Sequence, residues 1–270
     1  MGEAKRNKSA RMTATRRQLE IHPFCIYCGG EKRATTVDHQ PPKILFLRKH
    51  RPRGLEFSAC AICNRVSSGD DAVFGLIGRL CGSRKPEFAL PDSSFRDVIS
   101  TVESAFPGLP GQLIGGQSWK AINGVQQLVS YFRFDNPTLA QSLCRTAAKL
   151  ALSVFYEEMK RPVSGGAFVS TYWTHNQREG NEKVQQLISA LPKSVALKQG
   201  EKWDTQDIFF ARYISDATGF TVVIVAYGSL ALFASIIERD KDSRVMDWQY
   251  TWRVEQGVGI RPASAGRALI

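Results

Sequence analysis

The sequence is poor in acidic residues and has no apolar segment typical of a membrane helix. Its 25 Asp and Glu stand against 36 Lys and Arg, which gives a formal net charge of +11. That imbalance favours a polyanionic partner, either nucleic acid or an acidic membrane surface. An uncharged run of eighteen residues, 220–237, is interrupted by Gly228-Ser229 and is rich in β-branched residues. This pattern is typical of two strands joined by a turn, so we expect nucleic acid as partner and no membrane.

The first residues also lack the apolar stretch of a secretory signal, because residues 1–17 are polar and basic. We therefore expect a cytoplasmic protein whose thiols stay reduced, where paired cysteines more often bind a metal than form disulfides. The basic N-terminal arm, residues 1–20, is compatible with either a solvated terminus or an arm that lies along phosphates.

Four of the six cysteines form two Cys-x-x-Cys pairs, with 31 residues between the pairs. Each pair offers two sulfurs at the spacing that a tetrahedral zinc ion requires. A site closed by four thiolates has no open position, so the zinc is predicted to be structural. Cys81 and Cys144 have no such spacing and are predicted to be ordinary core residues. The predicted zinc ligands are Cys25, Cys28, Cys60 and Cys63.

Three residues near the cysteine pairs have the chemistry of a hydrolytic site. Asp38 and His39 are adjacent between the pairs, and Asn64 directly follows the second pair. A carboxylate and an amide oxygen suit a hard cation such as Mg²⁺ or Mn²⁺ that keeps several waters. His39 is then a candidate general base for one of those waters.

Residues 22–75 resemble the HNH endonuclease family. The resemblance rests on the two cysteine pairs, the Asp38-His39 pair, the prolines that follow it, and Asn64 after the second pair. It implies a zinc-stapled ββα-metal fold that hydrolyses DNA phosphodiester bonds. By the same resemblance, Asp38 and Asn64 would ligate the catalytic cation, His39 would activate water, and the protein would act in restriction or anti-phage defence.

The sequence departs from the family pattern in two places. The family has an Asn shortly before the second cysteine pair to orient the base, whereas residues 54–59 contain none, so Glu56 or a backbone carbonyl would have to orient His39. After Asn64, the family often has a Lys where this chain has Asp70-Asp71. These two acids would either support the metal site or cap a helix that starts near Ala72, and the cap is the favoured interpretation.

Basic residues without an acidic neighbour separate the two halves of the predicted site. We expect them to contact phosphates on the substrate. They are Lys43, Arg48, Lys49, Arg51 and Arg53.

The predicted fold class is α+β, a small ββα zinc module followed by a domain built from a helix and an antiparallel sheet. A helix is predicted at 136–160, with Asn136 as N-cap, followed by strands at 208–214, 220–226 and 230–237. The predicted divisions are the N-terminal arm 1–20, the nuclease module 21–81, a connecting segment 82–118, a regulatory or partner-binding domain 119–256, and a flexible tail 257–270.

Two other functions remain open. The first is a zinc module that binds nucleic acid without cleaving it. The second is a nuclease subunit that depends on a partner protein. RNA is not excluded as the substrate, and a homo-oligomer or a protein partner would use the C-terminal domain.

Overall fold

Helices and antiparallel strands make up the described parts of the chain in this computed structural model, so the predicted α+β class is confirmed. The structure describes residues 15–45, 56–81, 92–175, 189–191, 209–215, 221–227, 230–238, 250–255 and 259–263. The helices are α1 (residues 15–21), α2 (Ala61–Val66), α3 (Ser68–Cys81), α4 (Asp92–Ala105), α5 (Leu109–Leu113) and α6 (Pro137–Met159). The strands are β1 (Thr36–His39), β2 (Glu56–Ala59), β3 (Ile114–Ile122), β4 (Val125–Phe132), β5 (Phe168–His175), β6 (Phe209–Ser215), β7 (Thr221–Tyr227), β8 (Leu230–Ile237), β9 (Tyr250–Glu255) and β10 (Gly259–Pro262).

The predicted zinc module contains a two-stranded hairpin followed by two helices. β1 pairs antiparallel with β2, and the register sets His39 opposite Glu56 at the end of the hairpin where the connecting segment joins the two strands. The chain then turns into α2 and α3, which gives the order strand, strand, helix. The segment from His39 to Glu56 therefore leaves and re-enters the module at the same end.

Helix α6 lies at the centre of the described structure, between α3 and the sheet strands β5 and β8. The Asn136 side chain caps it by accepting from the N–H groups of Thr138 and Leu139, as predicted. The helix is apolar on most of its circumference, and residues 146–156 are buried without a break. Its buried polar residues form a stripe at helical spacing, which consists of Ser142, Thr146, Lys149 and Ser153.

A six-stranded antiparallel sheet covers the other side of α6, in the order β10-β9-β5-β8-β7-β6. Strands β6, β7 and β8 form the predicted meander, and the uncharged run 220–237 supplies two of them. No helix in the described ranges has the length and apolarity to cross a membrane. The buried side chains of the module, α6 and the sheet form one continuous core, so the predicted module and C-terminal domain pack directly together.

Two of the predicted boundaries miss elements that the structure contains. The boundary after residue 118 falls inside β3, because Ile114–Phe132 forms a hairpin around the turn Asn123-Gly124. Both turn residues have positive φ, as a tight two-residue hairpin requires. The flexible tail is wrong for Gly259–Pro262, which pairs with β9. Gly259 has a φ of +109°, and a Cβ there would lie 3.0 Å from the Cys63 Sγ, so glycine permits this close approach.

Candidate metal centre and active site

The four predicted zinc ligands converge on one point. Their Sγ atoms all lie within 4.8 Å of one another, and three of the four residues are buried. A tetrahedral zinc ion with bonds of ~2.3 Å sets its sulfurs ~3.8 Å apart, which this cluster can accommodate with small adjustments. The cluster therefore fits a metal such as zinc. It consists of Cys25, Cys28, Cys60 and Cys63.

Local backbone structure turns both cysteine pairs toward the centre. The N–H of Cys25 donates to the Lys32 carbonyl at 2.8 Å, and the N–H of Gly30 donates back to the Cys25 carbonyl at 3.2 Å. Cys60 is the N-cap of α2, and its Sγ accepts from the Cys63 N–H at 3.5 Å. Hydrogen bonds from Cys25 and Cys63 lower the pKa of the Cys28 thiol. The same contacts act in the opposite direction on the other two: the hydrogen bond with Cys28 raises the pKa of Cys25 to about 12, and hydrogen bonds with Cys25 and Cys28 raise the pKa of Cys63.

His39 lies beside a carboxylate at the end of the β1–β2 hairpin where the connecting segment begins. Its Nε2 is 3.0 Å from the Glu56 Oε1, and 19% of its side chain is exposed. The Gln18 amide donates to the Glu56 carbonyl oxygen at 3.0 Å, which ties α1 to the same strand. Of the two alternatives left open by the missing asparagine, the structure thus places Glu56 in contact with the predicted base.

Asp38 points in the opposite direction, into the core, where a lysine neutralises it. Its Oδ2 lies 2.8 Å from the Lys149 Nζ and accepts from the Gln40 amide at 2.8 Å. Its Oδ1 accepts from the His39 backbone N–H at 2.9 Å. Burial raises the pKa of Asp38, but the Lys149 charge and the hydrogen bonds outweigh burial and leave the pKa below its ordinary value.

Lys149 reaches the module from the polar stripe of α6. Its ammonium also donates to the Ser67 Oγ at 2.5 Å, lies 4.0 Å from the Asp71 Oδ2, and lies 5.1 Å from the Tyr27 ring centroid. Burial lowers the pKa of Lys149, but the negative charges of Asp38 and Asp71 raise it by more. The pKa is therefore above its ordinary value. Sequence reasoning missed this residue. The available signal was one lysine aligned with serine and threonine on an otherwise apolar helix.

Asp70 and Asp71 belong to this buried junction and do not cap a helix. Helix α3 begins at Ser68, so both acids lie inside its first turn. Asp70 pairs with Arg145 at 3.0 Å, one helical turn before Lys149 on α6. Burial raises the pKa of Asp71 to about 7. The favoured prediction of a cap is therefore wrong, because the two acids contact α6.

Asn64 occupies a separate position on the module. Its side-chain amide donates to the Thr36 Oγ1 at 3.0 Å, and that hydroxyl donates to the Ala59 carbonyl. Thr36 and Asp38 share one face of β1 but lie two residues apart, about 7 Å along the strand. The Asn64 amide is thus bound to Thr36, whereas the Asp38 carboxylate is bound to Lys149 and Gln40.

The residues predicted to bind Mg²⁺ or Mn²⁺ do not fit such an ion in this arrangement. Both carboxylate oxygens of Asp38 already have partners. The Lys149 ammonium group beside them would repel a metal cation. Within the described residues, the cysteine cluster is the one group of three or more His, Cys, Asp or Glu side chains that could hold a metal. The catalytic cation thus has no support from the described geometry.

Of the basic residues predicted to contact phosphates, one is described. Lys43 is exposed in a 3-10 turn, Lys43–Leu45, that directly follows Pro41-Pro42. The other four lie outside the described residues. They are Arg48, Lys49, Arg51 and Arg53.

Comparisons with known proteins add no family. No protein-family model, no curated protein and no solved structure matches the chain.

Proposed function

We propose that the chain is a zinc-stapled nuclease that hydrolyses DNA phosphodiester bonds with His39 as general base. The observation that carries the proposal is the contact of 3.0 Å between His39 Nε2 and Glu56 Oε1 on a hairpin fixed by the cysteine cluster. A carboxylate that accepts from one imidazole nitrogen leaves the other nitrogen basic and fixes the ring orientation. His39 is also partly exposed, as a base that meets a large substrate must be.

Hydrolysis at this site needs three events. His39 takes a proton from water as the water oxygen attacks phosphorus, and Glu56 stabilises the imidazolium that forms. The bond from phosphorus to the leaving oxygen breaks, that oxygen takes a proton from solvent water, and the imidazolium returns its proton to solvent, which restores His39 as a base. We assign no step to a divalent cation, because Asp38 is already held by Lys149.

The chain between His39 and Glu56 supplies positive charge for the phosphate. It contains five Lys and Arg residues and no acid, and both of its ends join the hairpin at the His39–Glu56 pair. A phosphodiester attracted to this segment is therefore drawn to the end of the module where the base lies. Cationic side chains there would also offset charge that develops on the phosphate during attack.

The test is nicking of supercoiled plasmid by wild type and by His39→Ala, with Mg²⁺, with Mn²⁺ and with chelator. We expect wild type to nick and His39→Ala to lose about 10²- to 10⁴-fold in rate while binding DNA equally well. Lys120→Ala, on the β3–β4 hairpin, is the control and should retain the wild-type rate. Equal nicking by wild type and His39→Ala would overturn the proposal.

One observation favours a second candidate, a zinc module that binds nucleic acid without cutting it. Asp38, which the family resemblance assigns to the metal, is instead buried in an ion pair. Under this candidate, wild type and His39→Ala bind DNA alike and neither nicks it under any of the three conditions. A role in anti-phage defence stays an expectation that only the resemblance supports.

A further inference from the structure

A groove lined largely by aromatic rings lies beside the end of β5. It encloses about 580 Å³ between residues 132–135, at the junction of β4 and α6, and residues 172–175 of β5. That volume falls within the ~300–1,000 Å³ of pockets that bind small ligands, which are mostly apolar with a few polar groups. We therefore asked which ligand the side chains of this groove suit.

Three rings of the groove form a stack. The centroids of Phe134 and His175 are 3.9 Å apart at an interplanar angle of 29°, and those of His175 and Trp173 are 5.9 Å apart at 27°. Trp173 is buried and anchors the stack in the core, whereas Phe134 and His175 are partly exposed. Burial lowers the pKa of His175, so its ring is neutral at neutral pH. A flat, uncharged stack of this kind favours a ligand with a flat ring of its own.

Arg133 and Asp135 add a polar rim to the groove. Their side chains form an ion pair, with Nη2 3.1 Å from Oδ2 and Nε 3.3 Å from Oδ1. A Cβ at Gly115 would lie 2.8 Å from the Arg133 Cγ, so the glycine makes room for the stem of the arginine. A guanidinium group donates hydrogen bonds and a carboxylate accepts them, so the rim offers both kinds of partner side by side.

A nucleobase meets both requirements. It has a flat face that stacks on aromatic side chains, and an edge that carries hydrogen-bond donors and acceptors. An aliphatic ligand would gain nothing from the stacked rings. The net charge of +11 also attracts ligands that carry phosphate.

The geometry points to a nucleotide-binding site in this groove, in which the base stacks on the Phe134–His175 rings and its edge contacts Arg133 and Asp135. The shared chemistry is a nucleobase with its phosphate, whether in a free mononucleotide or in a single strand of nucleic acid.

This site is separate from the predicted base His39 and does not depend on the nuclease activity. The groove adjoins the first residue of α6, Pro137. Near the other end of α6, Tyr156 packs against Phe57 of β2, with ring centroids 6.4 Å apart. At 1.5 Å per residue, about 30 Å of helix separates Pro137 from Tyr156. His39→Ala should therefore bind a nucleotide as wild type does.

The test is isothermal titration of the full chain with AMP, GMP, CMP and UMP, and with ribose 5-phosphate, which lacks the base. We expect at least one mononucleotide to bind about tenfold or more tightly than ribose 5-phosphate. Phe134→Leu keeps an apolar side chain but removes the flat ring, and should weaken that binding about tenfold or more. Phe24→Leu, at a position 46% exposed on the zinc module, is the matched control and should bind as wild type.

Arg133→Met keeps the test decisive if Phe134→Leu also lowers stability. Arg133 is exposed, so the variant should keep the wild-type unfolding transition and still bind the mononucleotide more weakly. Arg261→Met removes another exposed arginine that is paired with an acid, Glu255, and should bind as wild type.

A short single-stranded oligonucleotide of mixed sequence, titrated into His39→Ala so that it is not cut, identifies the source of the base. If the groove takes a base from a strand, the oligonucleotide displaces the mononucleotide, and adding Phe134→Leu weakens its binding. If the groove takes a free mononucleotide, the oligonucleotide does neither. Mononucleotides that bind no more tightly than ribose 5-phosphate, or equal binding by Phe134→Leu and Phe24→Leu, would overturn the proposal.

Discussion

The Lys149 ammonium lies 2.8 Å from the Asp38 carboxylate, and the two side chains are 3% and 5% exposed. The pair joins α6 to the strand that carries the predicted base. Ser67 and the Tyr27 ring complete the surroundings of the ammonium group. Removing one partner of such a buried ion pair is strongly destabilising, because the other charge is left in the core without a counter-charge.

Lys149→Met should therefore lower the free energy of unfolding by about 3–5 kcal/mol, because it leaves a buried carboxylate unpaired. Lys160→Met is the matched control, since Lys160 is an exposed partner of Glu157, and should change stability by less than about 1 kcal/mol. Both are measured by urea unfolding. Adding Asp38→Asn to Lys149→Met should recover part of the loss, and a double variant less stable than the single one would contradict the role of the pair.

The pH dependence of stability should reflect Asp71. Its pKa rises to about 7 in the folded protein, above the ordinary value of 3.8, mainly because it is buried. A folded-state pKa above the unfolded value means that the folded state binds the proton more tightly. The contribution of Asp71 to stability is thus fully present below about pH 4 and is lost as the pH rises through 7.

Asp71→Asn mimics the protonated acid and should remove this loss. We expect the variant to gain stability relative to wild type at pH 8 and to gain little at pH 4, as measured by urea unfolding at both pH values. Asp97→Asn, on the exposed side of α4, should show no such difference. A gain that is equal at both pH values would show that ionisation of Asp71 is not its cause.

Much of the local structure follows from sequence patterns. The cysteine pairs, the capped helix α6 and the meander β6–β8 each depend on spacing, capping or strand texture that a sequence displays directly. The β3–β4 hairpin was also encoded, by Asn123-Gly124 between apolar residues, but it was not predicted because the Gly- and Pro-rich segment before it was interpreted as a connection.

The direction in which Asp38 points could not be predicted in the same way. His39 and Asp38 are neighbours on one strand, so alternation sends them to opposite sides, but which side faces the core depends on what packs there. The ion pair with Lys149 directs Asp38 toward the core, and Lys149 lies 111 residues later in the chain. A contact this distant in sequence leaves no local pattern. The family resemblance led instead to a cation at this position.

Removal of the metal should unfold the zinc module. Cys60→Ser deletes one of four ligands but keeps an N-cap side chain that can accept from the Cys63 N–H, so it isolates the loss of the ligand. We expect this variant to lose most of its zinc by elemental analysis and to melt at lower temperature, because ligand binding and folding are coupled. Cys81→Ala, a buried cysteine outside the cluster, should keep one zinc per chain. Equal zinc content in both variants would contradict the assignment of the cluster.

Glu56→Gln tests whether the carboxylate beside His39 serves the base. If Glu56 orients the ring and stabilises the imidazolium, the variant should nick plasmid about 10- to 100-fold more slowly, a smaller loss than that of His39→Ala. The loss should fall on kcat with KM unchanged, because Glu56 acts through His39 and not on the substrate. Glu20→Gln, an exposed acid paired with Arg16, removes the same charge elsewhere and should leave both constants unaltered. A Glu56→Gln variant as fast as wild type would show that the contact of 3.0 Å has no part in the reaction.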